Sequence, residues 1–183
     1  MSNYDLPTSL IVNGREYAIR ADYRAILDII GVFTDTGITN EDRALIALTI
    51  FYEDFETMPF GAFEDALAKM KWFINGGKED SRTKNQKLMD WNQDFQLIVS
   101  PINKALGFEV RSAEFVHWWT FLSAYMEIGD CLFAQVVSIR KKRKQGKKLD
   151  KQDREFYQNN HDIVDLKVEE TEAEKALFDE WLT

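Results

Sequence analysis

Residues 114–126, EFVHWWTFLSAYM, form a strongly aromatic stretch near the middle of the chain. The large apolar side chains recur at helical spacing and cover more than one narrow stripe, which is typical of a helix packed on several sides. Ser112 precedes them and is a suitable N-cap. We therefore predict a core helix whose apolar face is made of Phe115, Trp118, Trp119, Leu122 and Met126.

A β-hairpin is predicted near the start of the chain, in residues 10–19, LIVNGREYAI. Two short β-prone runs flank Asn13 and Gly14. This residue pair suits a type I′ turn, because both of its central positions need positive φ angles. The hairpin is the one strand signal that we find in the sequence.

Apolar residues at helical spacing predict six further helices. Their expected starts are Asp22, Thr39 or Asn40, Phe60, Trp91, Asp130 and Asp150. Asn75, Gly76 and Gly77 should end the third of these, because such residues tolerate the left-handed conformation that follows many helices. The predicted fold is mainly α: a single-domain helical bundle of about seven helices with a small N-terminal β-hairpin.

We expect the domain to span residues 1–160. Residues 161–183 are acidic and should form a tail with a short C-terminal helix, because Ala173, Leu177 and Trp181 make a narrow apolar stripe. Such a tail could either dock or fray.

Composition limits the class of protein. The formal charge is -8, and no apolar run approaches the roughly 20 residues that a membrane-spanning helix needs. The first residues lack the basic and apolar regions of a signal peptide. Cys131 is the single cysteine, which excludes an internal disulfide and fits a reducing compartment. We expect a soluble protein of the cytoplasm.

No residue pattern predicts catalysis. The two histidines, His117 and His161, lie far apart in sequence and are not accompanied by cysteines at metal-ligand spacing. Cys131 is expected to be a small buried thiol rather than an activated nucleophile. Paired carboxylates such as Glu53 and Asp54 lie in charged surroundings, with nothing to mark them as an acid and a base. We expect no enzymatic activity, no metal and no cofactor.

Two segments are candidate interaction surfaces. The HWWTF run at 117–121 contains adjacent tryptophans that lie about 100° apart on a helix, so the pair belongs either chiefly to the core or to a partner-binding groove. The run RKKRKQGKK at 140–148 carries seven of the 23 basic residues. It could be a solvated helix end, a site for an acidic protein, or a nucleic-acid site. The candidate partner-binding residues are Trp118, Arg140, Lys141, Lys142, Arg143, Lys144, Phe178 and Trp181.

Several segments, taken in order, resemble the gene-product-fifteen family of phages and prophages of Gram-positive bacteria. They are LPTSLIVNGREYAIRADYRAIL, DALAKMKWFINGG, DWNQDFQLI, HWWTF and VVSIRKKRKQGKKLDKQDREFY. The resemblance runs from about Leu6 to Tyr157 and so covers most of the chain. No single one of these motifs is specific, but their order is.

The resemblance implies a phage tail assembly chaperone that binds the tape measure protein during tail morphogenesis in the cytoplasm of the bacterial host. It implies no catalytic residues. The major tail protein and a second copy of the chain are further expected partners, and neither nucleic acid nor a membrane is expected. Two alternatives remain open: a structural tail component retained in the virion, and a nucleic-acid-binding regulator that acts through residues 140–148.

Overall fold

The computed structural model describes residues 5–35, 37–79 and 87–167. These residues form eight α-helices, three short 3-10 helices and a two-stranded sheet. The predicted class, mainly helical with a small N-terminal hairpin, is confirmed. The described chain divides into two units. Unit 1 contains residues 5–79 and 114–122, and unit 2 contains residues 87–113 and 123–167.

Unit 1 begins with the predicted hairpin. Strands β1 (Ser9–Val12) and β2 (Arg15–Ala18) are antiparallel, and Asn13 and Gly14 between them have φ angles of 47° and 80°. Both angles are positive, as a type I′ turn requires. One face of the sheet, with Leu10, Val12 and Tyr17, is buried, whereas Ile11 on the other face is 63% exposed.

Three helices follow the hairpin, and the first two start at the predicted caps. The Asp22 carboxylate accepts the Arg24 N–H at 3.0 Å before α1 (Tyr23–Thr34). The Thr39 hydroxyl accepts the Asp42 N–H at 3.1 Å before α2 (Asn40–Phe51). Two 3-10 turns, Phe55–Thr57 and Phe60–Ala62, lead into α3 (Phe63–Ile74). The core side chains that these helices contribute include Ile26, Ile29, Leu48, Phe51, Met70 and Phe73.

The predicted start of the aromatic helix at Ser112 is wrong. Helix α5 spans Trp118–Met126, and Ser112 ends a separate 3-10 turn. The intervening chain is extended because it pairs with the residues before α1. The Tyr23 N–H donates to the Val116 oxygen at 3.0 Å, and the Trp118 N–H donates to the Ala21 oxygen at 2.7 Å. Phe115 and Met126, expected on the apolar face, are 56% and 62% exposed.

Unit 2 contains the remaining helices. These are α4 (Trp91–Leu106), α6 (Leu132–Lys144), α7 (Lys151–Asn159) and α8 (His161–Val164). Val136, Ile139 and Val164 are buried together at the centre. Their shell consists of Leu97, Leu149, Phe156, Tyr157 and Ile163.

The expected boundary between Asn160 and His161 falls between α7 and α8, and Val164 beyond it belongs to the unit 2 core. The expected C-terminal helix lies outside the described residues. In the part of the chain that the structure describes, no helix combines the length and the apolar character needed to cross a membrane.

Candidate functional site

The two adjacent tryptophans differ in exposure, and Trp118 is the buried one. Its side chain is 2% exposed and stacks on Phe121 with ring centroids 5.8 Å apart. Its indole N–H donates to the Ile74 oxygen at 2.8 Å. The prediction that Trp118 contacts a partner is therefore corrected, because a ring at this position has almost no surface to offer.

Trp119 is only partly buried, and its indole N–H donates to the Phe73 oxygen at 2.8 Å. The two tryptophans thus satisfy two of the carbonyls that the end of α3 leaves without an intrahelical partner. Gly76 and Gly77 complete this end. The Gly76 N–H donates to the Phe73 oxygen and the Gly77 N–H to the Trp72 oxygen, each at 3.0 Å, which is the pattern of a Schellman motif. The HWWTF run stabilises the end of α3.

His117 has a structural role at the start of α5. Its Nδ1 accepts the Trp119 N–H at 3.0 Å, as an N-cap side chain does. Nε2 must then carry the proton, and it donates to the Pro7 oxygen at 3.0 Å. Burial lowers the pKa of His117. The histidine is neutral and fully hydrogen-bonded, and among the described residues no group of three or more His, Cys, Asp or Glu could hold a metal ion.

The basic run also begins with a buried residue. Arg140 is 4% exposed and makes a bidentate ion pair with Asp94, with distances of 2.6 and 2.9 Å. Its other hydrogen bonds go to the carbonyls of Leu88, Ile163 and Val164 at 3.2, 2.8 and 2.6 Å. The prediction of Arg140 as an exposed partner residue is corrected, since its guanidinium holds together parts of unit 2.

The next basic residues are largely paired within unit 2. Lys142 forms ion pairs with Asp153 and Asp150, and the hydrogen bond that it donates to Asp153 raises the pKa of the lysine. Arg143 pairs with Asp165 and lies 4.2 Å above the centre of the Tyr157 ring.

Four lysines of the run, Lys141, Lys144, Lys147 and Lys148, are exposed and have no carboxylate partner among the described residues. Lys144 donates to the Lys87 carbonyl, and Lys141 is exposed. Three of the seven cations of the run are therefore held by carboxylates of unit 2, and the other four are exposed. Phe178 and Trp181, the other two candidates, lie outside the described residues.

An open groove lies between β1 and α3 in unit 1, and we call it the hairpin groove. Its volume is about 670 Å³, and its apolar lining comes from Leu10, Ile11, Ala68 and Trp72. The polar residues around it are Asp65, Lys69, Lys71, Asn75, Lys78 and Glu79.

The two walls of the hairpin groove are joined at one end. The Asn13 N–H donates to the Asp65 carboxylate at 2.8 Å, and the Asn13 side-chain amide reaches the Gly61 oxygen at 3.4 Å. Beside this junction Phe60 is 85% exposed and contacts Phe63, with ring centroids 5.2 Å apart. Apolar side chains are therefore exposed both inside the groove and next to it.

The hairpin groove could not be predicted from patterns along the chain. Its residues come from a strand and a helix more than 50 positions apart, and the three lysines are not consecutive. One signal was available: Ile11 is apolar but occupies the outward position of a strand whose neighbours Leu10 and Val12 point inward. Asp94 was missed as well, because an aspartate in the first turn of a helix is ordinarily a surface residue.

One comparison with known proteins gave a match. The family model described as Bacteriophage Gp15 protein matches residues 3–166, which span both units. No curated protein and no solved structure matched the chain.

Proposed function

The chain belongs to the bacteriophage Gp15 protein family, and from this membership we propose that it is a tail assembly chaperone that binds the tape measure protein during tail morphogenesis. The family match supports a phage protein. The chaperone role is proposed from the role that the family resemblance implies and from the hairpin groove.

The observation that carries the proposal is the hairpin groove. It presents Ile11, Ala68 and Trp72 on a scaffold of helices, with lysines at its edge. An open apolar groove with a polar rim suits a segment of another protein chain better than a small substrate. A chaperone for a long client needs many contacts of this modest kind, one from each copy along the client.

We propose a binding role without catalysis. His117, the buried histidine, has both ring nitrogens engaged, so it has no free nitrogen to act as a general base. Cys131 is partly exposed, and no hydrogen bond to its thiol is seen in the described chain. Neither residue lines the hairpin groove.

Two observations disfavour the nucleic-acid alternative. Binding to phosphates requires clustered, available cations, whereas three of the seven cations of the run, Arg140, Lys142 and Arg143, pair with carboxylates of unit 2. The net charge of -8 also opposes approach to a polyanion.

Co-expression of the chain with the tape measure protein of the same phage, followed by a pull-down on a tag placed on the tape measure protein, tests the proposal. Recovery of both proteins from the soluble fraction is expected. Mass spectrometry of purified virions separates the chaperone from a structural tail component, because a chaperone should be absent from the particle. A titration of labelled duplex at 200 mM salt should show no binding, and binding there would favour the nucleic-acid alternative.

A further inference from the structure

We infer that the hairpin groove is the surface that holds the client, and that it takes peptide segments in which carboxylate side chains alternate with aliphatic or aromatic ones. This inference rests on the proposed chaperone function and adds to it a location and a chemistry. Four properties of the groove carry it: its charge, its apolar lining, its rigidity and its contrast with the basic run.

The charge of the groove is positive and available. Lys69, Lys71 and Lys78 are all exposed around it. Within residues 5–35, 37–79 and 87–167, none of the three makes an ion pair. Of the two acidic residues at the groove, Asp65 accepts a backbone hydrogen bond from Asn13, and the three lysines outnumber the two carboxylates by one. Three unpaired ammonium groups favour a partner that brings carboxylates.

The contrast with the basic run is the reason to place the partner site here. The run at 140–148 is the densest cluster of cations in the sequence, yet Arg140, Lys142 and Arg143 have carboxylate partners inside unit 2. The lysines of the groove are spread over ten residues of sequence and have no such partners in the described chain. Lys141, Lys144, Lys147 and Lys148 of the run also lack ion pairs in the described residues, so the feature that favours the groove is that its lysines adjoin the apolar lining of Ile11 and Trp72.

The apolar lining supplies the second half of the chemistry. Ile11 is 63% exposed at the edge of β1, and Ala68 and Trp72 lie one turn apart on α3. Burial of the exposed Ile11 side chain under a partner would contribute favourable free energy. The Trp72 indole can pack against an apolar side chain of the partner while the neighbouring lysines bind a carboxylate. A purely acidic partner would leave this surface in water.

The walls of the groove are held in place before any partner arrives. The turn of the hairpin is tied to α3 through the 2.8 Å bond from Asn13 to Asp65. Trp72 packs against Trp119, with ring centroids 5.5 Å apart, and Trp119 is bonded to the end of α3. A surface that is already ordered loses little entropy on binding, so modest contacts can suffice.

Charge reversal at the groove tests the inference on the full chain. We would compare the wild type, the triple variant K69E/K71E/K78E and a matched control, K141E/K147E/K148E, which changes three exposed lysines that also lack ion pairs in the described residues. The probe is the purified tape measure protein, and calorimetry at 50 and 200 mM salt measures its affinity. The groove variant should bind at least about tenfold more weakly at 50 mM, and the control should stay within about twofold of wild type.

A second measurement does not depend on the stability of the triple variant. A benzophenone amino acid at position 11 should crosslink to the tape measure protein under light, whereas the same group at position 132, an exposed leucine of unit 2, should not. Crosslinked peptides should be rich in Asp and Glu beside large apolar residues.

The outcomes separate the two proposals. If the wild type binds and crosslinks through position 132 instead of position 11, or if the groove variant binds as tightly as wild type, the groove assignment is wrong and the chaperone function stands. If the wild type does not bind the tape measure protein, the chaperone function fails and the groove inference fails with it. Loss of binding in the control alone would move the site to the basic run.

Discussion

Arg140 and Asp94 form a bidentate ion pair whose side chains are 3% and 0% exposed. The pair joins α6 to α4, and the same guanidinium donates to two backbone carbonyls of α8 and to that of Leu88, just before α4. Arg140, the first residue of the basic run, is thus the centre of a buried polar network in unit 2.

We predict that Asp94→Asn destabilises the protein by about 3–5 kcal/mol, because it leaves the Arg140 charge buried and uncompensated. The measurement is the free energy of unfolding from urea titration followed by circular dichroism. Asp28→Asn is the control, since Asp28 is exposed on α1 and should have little effect. Equal stability of the two variants would show that the pair does not persist in solution.

We predict that Trp118→Ala costs about 3–5 kcal/mol of unfolding free energy, the usual range for a buried tryptophan, and that Trp119→Ala costs less. From the sequence, Trp118 rather than Trp119 was named as a candidate partner-binding residue. The structure buries Trp118 almost completely and leaves Trp119 partly exposed. Guanidinium titrations of the two variants decide the order, and a larger loss for Trp119→Ala would contradict the burial seen in the structure.

We predict that Gly77→Ala destabilises the protein by more than Gly107→Ala. Both glycines have positive φ angles, of 80° and 78°, so each alanine should cost about 1–2 kcal/mol in backbone strain. At Gly77 a Cβ would also lie 3.0 Å from the Trp119 ring, whereas at Gly107 it would meet nothing within 4 Å. Thermal unfolding of both variants measures the difference, and identical melting temperatures would mean that the Trp119 ring moves away at no cost.

We predict that stability falls as the pH drops below about 6.5, the ordinary pKa of histidine. Burial holds the pKa of His117 below that value in the folded protein, so in this range the unfolded chain binds more protons and acid favours unfolding. Protonation of Nδ1 would also remove the acceptor of the Trp119 N–H. Urea midpoints at pH 7.5 and 5.5 measure the effect.

The control for this pH effect is His161→Gln, since His161 is exposed. That variant should keep the wild-type difference between the two midpoints, and His117→Gln should reduce it. If His117→Gln leaves the difference unchanged, the pH dependence comes from other groups.

The functional surface was predictable only in part. The basic run and the tryptophan pair were identified as candidates from composition and spacing, but neither pattern contains information about the partners of each side chain. Asp94 lies 46 positions from Arg140, and the walls of the hairpin groove come from β1 and α3. Such relationships depend on which elements meet in space, and a single sequence does not specify that.

Features that depend on a few neighbouring residues could be predicted from the sequence alone. The turn at Asn13 and Gly14, the caps at Asp22 and Thr39 and the glycine end of α3 follow from the φ preferences and short side-chain bonds of those residues. The start of α5, the burial of one tryptophan and the burial of Arg140 depend instead on contacts between distant parts of the chain. The backbone before Trp118 bonds to Ala21 and Tyr23, and these long-range hydrogen bonds outweigh a helical pattern that is favourable only locally.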